Sequence, residues 1–343
     1  MRCPLAAACA IAVTTGALAG PLTPPAGAPA PTNKTLQEVE PRTPIGGPDT
    51  VTISQPGSYY LTQNINASAG SPAVIITADA VELDLNGYAI EGGSSAGVRV
   101  SAPFQDNAVA IRNGTIRGFL GDGVESTTSA LVVIDDVQFQ QCRNGVNLTG
   151  PGVVTNCTAR FCDQTGFRTS ALTTISGCLA QNNADGYIIA HGTIQECVAD
   201  SNILQGFIVN QPSEISRCVS RLNGRSGFVV NVRGQVTQCV ANQNGEDGFF
   251  LGAKCRITNC HAADNTTSGV FAGIRADVKC TIDSCTVANN RFGIIAGINS
   301  LVVRNTATDN IVANYDMTGS NFGPIVTPSG AITSTNPWAN FEY

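Results

Sequence analysis

The chain has 343 residues, 43% of them apolar and 13% charged, with a net charge of −6 and a sequence pI near 4.9. That composition supplies one sizeable core, and one elongated domain is favoured over two. The lysines are Lys34, Lys254 and Lys279 alone, so the basic footprint of a nucleic-acid-binding protein is absent.

In chain order, residues 1–19 read as a secretory signal: Met1-Arg2, an apolar run from Leu5 to Val13, and a small-residue site ending Ala17-Leu18-Ala19. This predicts a secreted protein, extracellular, periplasmic or on the cell surface. Residues 20–44 read as a Pro-rich linker and N-terminal cap, since five prolines fall within 20–31 and Thr35-Leu36-Gln37-Glu38 begins like a capping box for a short helix over 32–40. No later stretch is long and apolar enough to span a membrane.

From residue 45 to 310 the chain repeats. Cys157, Cys178, Cys197, Cys218, Cys239, Cys260 and Cys285 are separated by 21, 19, 21, 21, 21 and 25 residues. Each opens the same phrase, which runs through an asparagine and a glycine to an apolar residue. Apolar residues also stand three before the cysteine, as at Ile175, Ile194, Ile215 and Ile257. The local spacing is two and breaks at bends, so short strands are predicted rather than helices. A unit of about 21 residues is too short for strand–helix–strand and suits one coil of a parallel β-helix. Extending the register upstream to Tyr88 and downstream to Asn305 predicts about 11–12 coils, with residues 311–343 as a tail and cap.

"LDLNGYAIEG", "AIRNGTIRGFLGDGV" and the later glycine–apolar coils resemble the right-handed parallel β-helix repeat proteins of the pectin-lyase-like superfamily. The opening "ISQPGSYYLTQNI" and the closing "NPWANFEY" resemble a secreted bacterial subgroup of unassigned activity. The resemblance covers about residues 45–343 and implies an all-β, single right-handed parallel β-helix. It implies little about function, because this fold hosts lyases, hydrolases, epimerases, adhesins and inert rods.

A solenoid stacks equivalent residues in columns. Phe167, Tyr187, Phe207, Phe228 and Phe249 are expected to form an internal aromatic stack, continued by Val270 and Ile294. Asn183, Asn202, Asn223, Asn244, Asn265, Asn290 and Asn310 form a second column, in which amides bond to neighbours and tolerate a left-handed bend. Glycines supply positive φ or close approach. The cysteine column is expected to be packed free thiol: stacking at ~4.8 Å is slightly too wide for a disulfide, and no C-x₂-C pair suggests zinc. The off-column pairs Cys142–Cys162 and Cys255–Cys280 stay open.

Function would sit on outward positions. Alternation sets Glu196 opposite Arg217 and Asp200 opposite Arg221, a candidate face for an acidic glycan, since arginine forks grip carboxylates. Ile188, Ile208, Val229, Phe250, Phe271 and Ile295 are also predicted to point outward, with Arg168 at one end. That stripe is a candidate interface, covered by the 311–343 tail or by a second copy in a homo-oligomer.

No catalytic residue is assigned. The polygalacturonase set (N-T-D, an Asp pair, G-H-G, R-I-K) and the D-P-H-D motif of alginate epimerases are missing. His191 is expected near positions 171 and 211, without a carboxylate pair. No metal or cofactor is called for. The leading reading is a non-catalytic secreted rod that binds a glycan or protein or serves as surface or matrix material. The alternative is a polysaccharide lyase or glycoside hydrolase acting on an acidic polysaccharide.

Overall fold

Phe207–Val209, Glu214–Ser216 and Val219–Arg221 show what one repeat folds into: three short strands, each on a different side of the coil. Each pairs in parallel with its counterpart one coil later, as Ile215 with Val236, Ser220 with Ala241 and Phe207 with Phe228. The structure, a computed structural model, describes residues 41–343 apart from 49, 68–69, 103–107 and 267. Residues 42–343 form one unit and residues 1–41 another, of which only residue 41 is described; the signal, most of the linker and the short N-terminal helix read from the sequence lie outside the described residues.

Repetition builds three parallel sheets. Sheet A runs from Thr43–Ile45 through Glu214–Ser216 to Asn321–Phe322. Sheet B runs from Ile65–Asn66 through Val219–Arg221 to Asn340–Glu342. Sheet C runs from Val51–Ile53 through Phe207–Val209 to Ala313–Asp316. The result is a right-handed parallel β-solenoid of about 13 turns, with no helix among the described residues. The count exceeds 11–12 because strands at Thr43–Ile45 and Asn340–Glu342 add material at both ends.

The bends have a fixed chemistry. The residue before each column cysteine is left-handed (Glu196 φ 56°, Arg217 φ 53°, Gln238 φ 55°), as is the residue before each column asparagine (Ser201 φ 56°, Leu222 φ 56°, Gln243 φ 56°). The strained position is therefore next to the asparagine and not on it. Nor do the column glycines lie in the left-handed region. A Cβ on Gly186 would stand 2.4 Å from the Gly206 carbonyl oxygen, so close approach of coils is what requires glycine there.

Inside, Phe167, Tyr187, Phe207, Phe228 and Phe249 stack with centroids 5.1, 4.5, 4.7 and 4.7 Å apart. Tyr187 keeps its hydroxyl satisfied by donating to the Cys178 carbonyl at 2.7 Å. The asparagines form a buried ladder. Asn183 accepts from the Cys162 N–H at 2.9 Å and donates through Nδ2 to Asn202 Oδ1 at 3.2 Å and to the Ala159 carbonyl at 3.1 Å.

All eleven described cysteines are free and buried. Cys218 Sγ lies 3.3 Å from the Ser216 carbonyl, while the Cys218 N–H points at Cys239 Sγ at 3.4 Å. Both off-column pairs are unbridged. Burial pushes the Cys142 thiol up to about 11 and the Cys162 thiol up to about 12.

One coil departs from the sequence register. Between Cys260 and Cys285 the four extra residues fall before sheet C, so its strand resumes at Gly273 rather than Gly269. Ile274, not Val270, follows Phe249 inside, and Val270 is exposed. A loop insertion leaves the stack intact at either glycine; only Gly273 lies against Gly248.

Candidate functional site

The four charged residues nominated from the sequence come together as two ladder pairs. Glu196 and Arg217 occupy successive left-handed corners, and Arg217 Nη2 lies 2.9 Å from Glu196 Oε1. Arg221 ends the strand Val219–Arg221 in register with Asp200, at 3.3 Å. The two pairs differ in cover. Glu196 is 57% exposed in its side chain, whereas Asp200 is only 8% exposed and also accepts from Gln181 Nε2 at 3.0 Å. Both arginines are half exposed, so a carboxylate from solution can reach either fork.

Sequence reasoning missed other acid–arginine pairs, three of which have an almost fully buried carboxylate. Asp122 is fully buried and takes Arg143 Nε and Nη2 at 2.9 and 2.8 Å, Asn144 Nδ2 at 2.7 Å and Asn147 Nδ2 at 2.8 Å. Burial pushes its pKa up, but the donors from Arg143, Asn147 and Asn144 outweigh that and hold it below the usual carboxylate range. Asp247 accepts from the Ala272 N–H at 2.7 Å and from Arg275 Nη2 at 2.6 Å, yet burial dominates and raises its pKa. Arg304 grips Asp283 and lowers its pKa. Asp122 and Arg143 lie 21 residues apart, which is one coil; that spacing was the available signal.

His191 pairs with Leu172 in register, one position from where the sequence set it. It lines a shallow cleft of about 270 Å³ with Thr193, Ser213, Glu214, Arg233 and Gln235. A histidine, a carboxylate and a guanidinium thus share one concavity at the corner between sheets C and A. The sequence did not foresee Glu214 or Arg233 there, because both residues fall outside the apolar phrase by which the coils were aligned.

The apolar stripe needs a correction. Arg168, Ile188, Ile208, Val229 and Phe250 follow in register on sheet C, but the next position is Arg275, followed by Ile295. Phe271 falls in the inserted loop. Its ring still lies 5.7 Å from the Arg275 guanidinium, which stands 4.7 Å from Phe250. The outward apolar residues are half-buried. The C-terminal residues do not run back over them: Ala313–Asp316, Asn321–Phe322 and Asn340–Glu342 each extend a sheet at the end of the stack.

Among the described residues no helix is long and apolar enough to cross a membrane. The family pattern described as "right handed beta helix region" matches residues 101–254. This chain folds as a right-handed parallel β-helix. Solved structures agree on the fold of this β-helix protein. The A-module of Azotobacter vinelandii mannuronan C-5 epimerase AlgE6 is similar at a TM-score of 0.56 and 15% identity, over 83% of this chain and 89% of that one. The AlgE4 A-module from the same organism gives 0.53 and 13%, over 84% and 86%. The periplasmic alginate epimerase AlgG gives 0.50 and 14%, over 84% and 78%. No curated protein matches the sequence of this chain.

Proposed function

We propose that this β-helix protein works outside the cytoplasm as a non-catalytic binder of acidic polysaccharide, through the face that carries Arg217 and Arg221. The observation that carries the reading is the unequal cover of their partners. Glu196 is exposed and can leave Arg217 to an incoming carboxylate, while buried Asp200 stays and keeps Arg221 oriented. An exposed pair contributes only about 0–1 kcal/mol, so exchanging Glu196 for a ligand carboxylate costs little. The names of the structural neighbours support the choice of polymer, since mannuronan and alginate are uronate polysaccharides. Affinity electrophoresis in gels containing alginate, pectate or neutral dextran tests it. Retardation by the acidic polymers alone, relieved in Arg217→Ala/Arg221→Ala, is expected; retardation unchanged in the double variant removes the site from this face.

One observation favours an enzyme as the second reading. The cleft joins His191, Glu214 and Arg233, groups able to transfer a proton and to neutralise a uronate carboxylate. Unsaturated or shortened products from pectate or alginate, abolished in His191→Ala, are what a lyase or hydrolase would give. Products that persist in that variant would exclude this cleft.

A further inference from the structure

Three corners turn each coil, and their left-handed residues carry different charges. At the corner before the cysteine column they are mixed, with Asp136, Glu196, Arg217 and Arg304 among neutral residues such as Asn156, Gln238, Asn259 and Ser284. At the corner before the asparagine column they are neutral or acidic: Gln141, Phe161, Asn182, Ser201, Leu222, Gln243, Asp264, Asn289, Asp309. At the corner between sheets C and A they are Arg233, Lys254 and Lys279 on three consecutive coils, then Asn299. Two of the chain's three lysines are spent there, in a protein of net charge −6.

The three cations are stacked. The Arg233 N–H donates to the Ala253 carbonyl, the Lys254 N–H to the Val278 carbonyl and the Lys279 N–H to the Ile298 carbonyl, so each corner sits directly on the next. All three side chains are exposed, and among the described residues none forms an ion pair. This contrasts with the corner of Glu196 and Arg217, where the stacked charges cancel. The acids beside the cations are Glu214, in the cleft that Arg233 also lines, and Asp277, two residues before Lys279; neither is within ion-pair distance of them. One residue before each cation stand Val232 and Val278, both exposed, and Ala253, half-buried, and the exposed Ile298 continues that column. The edge therefore presents a row of cations beside a row of apolar side chains, at one pair per ~4.8 Å of stack. That rise is on the order of the length of one sugar unit.

We infer that the corner formed by Arg233, Lys254 and Lys279 binds a linear polyanionic glycan with one acidic group per sugar, laid along the stack. The acidic groups meet the cations, and the apolar faces of the rings lie on Val232, Ala253 and Val278. The site is separate from the Arg217 and Arg221 face, and it rests on the proposed function only for the choice of a glycan. Carboxylate and sulfate share the chemistry the corner reads. Arginine takes either as a fork and lysine as a point charge.

The test compares wild type, Arg233→Gln/Lys254→Gln/Lys279→Gln and Arg217→Ala/Arg221→Ala for binding to alginate oligomers, dextran sulfate and neutral dextran at several salt concentrations. Glutamine already occupies left-handed corners at 141, 238 and 243, so the triple variant keeps a backbone the fold tolerates. The expected result is no binding of neutral dextran, and a loss on the order of tenfold with a flatter salt dependence for the triple variant, as for the removal of three surface charge contacts. Loss of dextran sulfate binding in the triple variant, with no alginate binding in any form, keeps the corner and overturns the acidic-sugar reading of the proposed function. Binding unchanged in the triple variant, or no binding of either polyanion by wild type, overturns the corner.

Discussion

Asn202 is joined to Asn223 twice: its main-chain N–H and its Nδ2 both donate to Asn223 Oδ1, at 3.0 and 2.9 Å. Asn223 repeats the arrangement with Asn244, at 3.3 and 2.9 Å. A buried bend leaves main-chain groups that the sheets cannot pair, and the side-chain amide one coil away serves them. Asn223→Ala removes the acceptor for two donors and the donor to the Ala199 carbonyl at once. The expected loss is about 2–4 kcal/mol by urea denaturation. A loss below about 0.5 kcal/mol would show that water replaces the amide and that the ladder is incidental.

The aromatic stack gives a graded pair. Phe228→Ala opens a cavity between Phe207 and Phe249 and should cost about 3–5 kcal/mol. Tyr187→Phe keeps the ring and loses the hydroxyl bonds to the Cys178 and Val198 carbonyls, for about 1 kcal/mol. Equal losses for the two variants, by the same denaturation measurement, would contradict an interior held mainly by stacking.

Asp122 sets a pH dependence. Its folded-state pKa is depressed, so the stability it contributes is fully present above the unfolded carboxylate value of about 3.9 and is lost as pH falls through the lower folded value. Asp122→Asn should therefore be less stable than wild type at neutral pH, on the order of 2 kcal/mol. The gap should close in the acid limb below about pH 4. A gap that is constant from neutral to acid pH would mean that the Arg143 charge contact contributes nothing and only packing was lost.

The cysteines test the packing of the column corner. All eleven described cysteines are buried, and burial pushes the off-column Cys142 and Cys162 thiols up to about 11 and about 12, so a reagent meets neither access nor, at those two, thiolate. Native protein should resist a thiol reagent. Protein denatured without reductant should titrate at least the seven thiols of the 157–285 column. One thiol or none on denaturation would establish disulfides in the stack.

The half-buried column Ile188, Ile208, Val229 and Phe250 is proposed as a contact between copies. Sedimentation should then show an oligomer that Ile208→Lys with Val229→Lys dissociates. A single monomeric species before and after the substitutions removes the proposal.

The repeat was legible because a solenoid makes nearly all its contacts between residue i and residue i + 21 or so. A column in space is therefore a period in sequence, and Phe207, Phe228 and Phe249, or Asn202, Asn223 and Asn244, announce their own neighbours. The same arithmetic pairs Glu196 with Arg217 and Asp200 with Arg221 from the sequence alone. Where the period breaks, that reading stops. Nothing in residues 264–273 says which glycine resumes the coil, and only the approach of Gly273 to Gly248 puts Arg275, not Phe271, beside Phe250. Nor does a period report cover: Glu196 and Asp200 look alike in the repeat, and only the packed corner leaves one in water and shelters the other. The cationic row at Arg233, Lys254 and Lys279 stands at spacings of 21 and 25 residues, outside the apolar phrase by which the coils were aligned. Stacking of the three corners on one another turned those scattered residues into one edge.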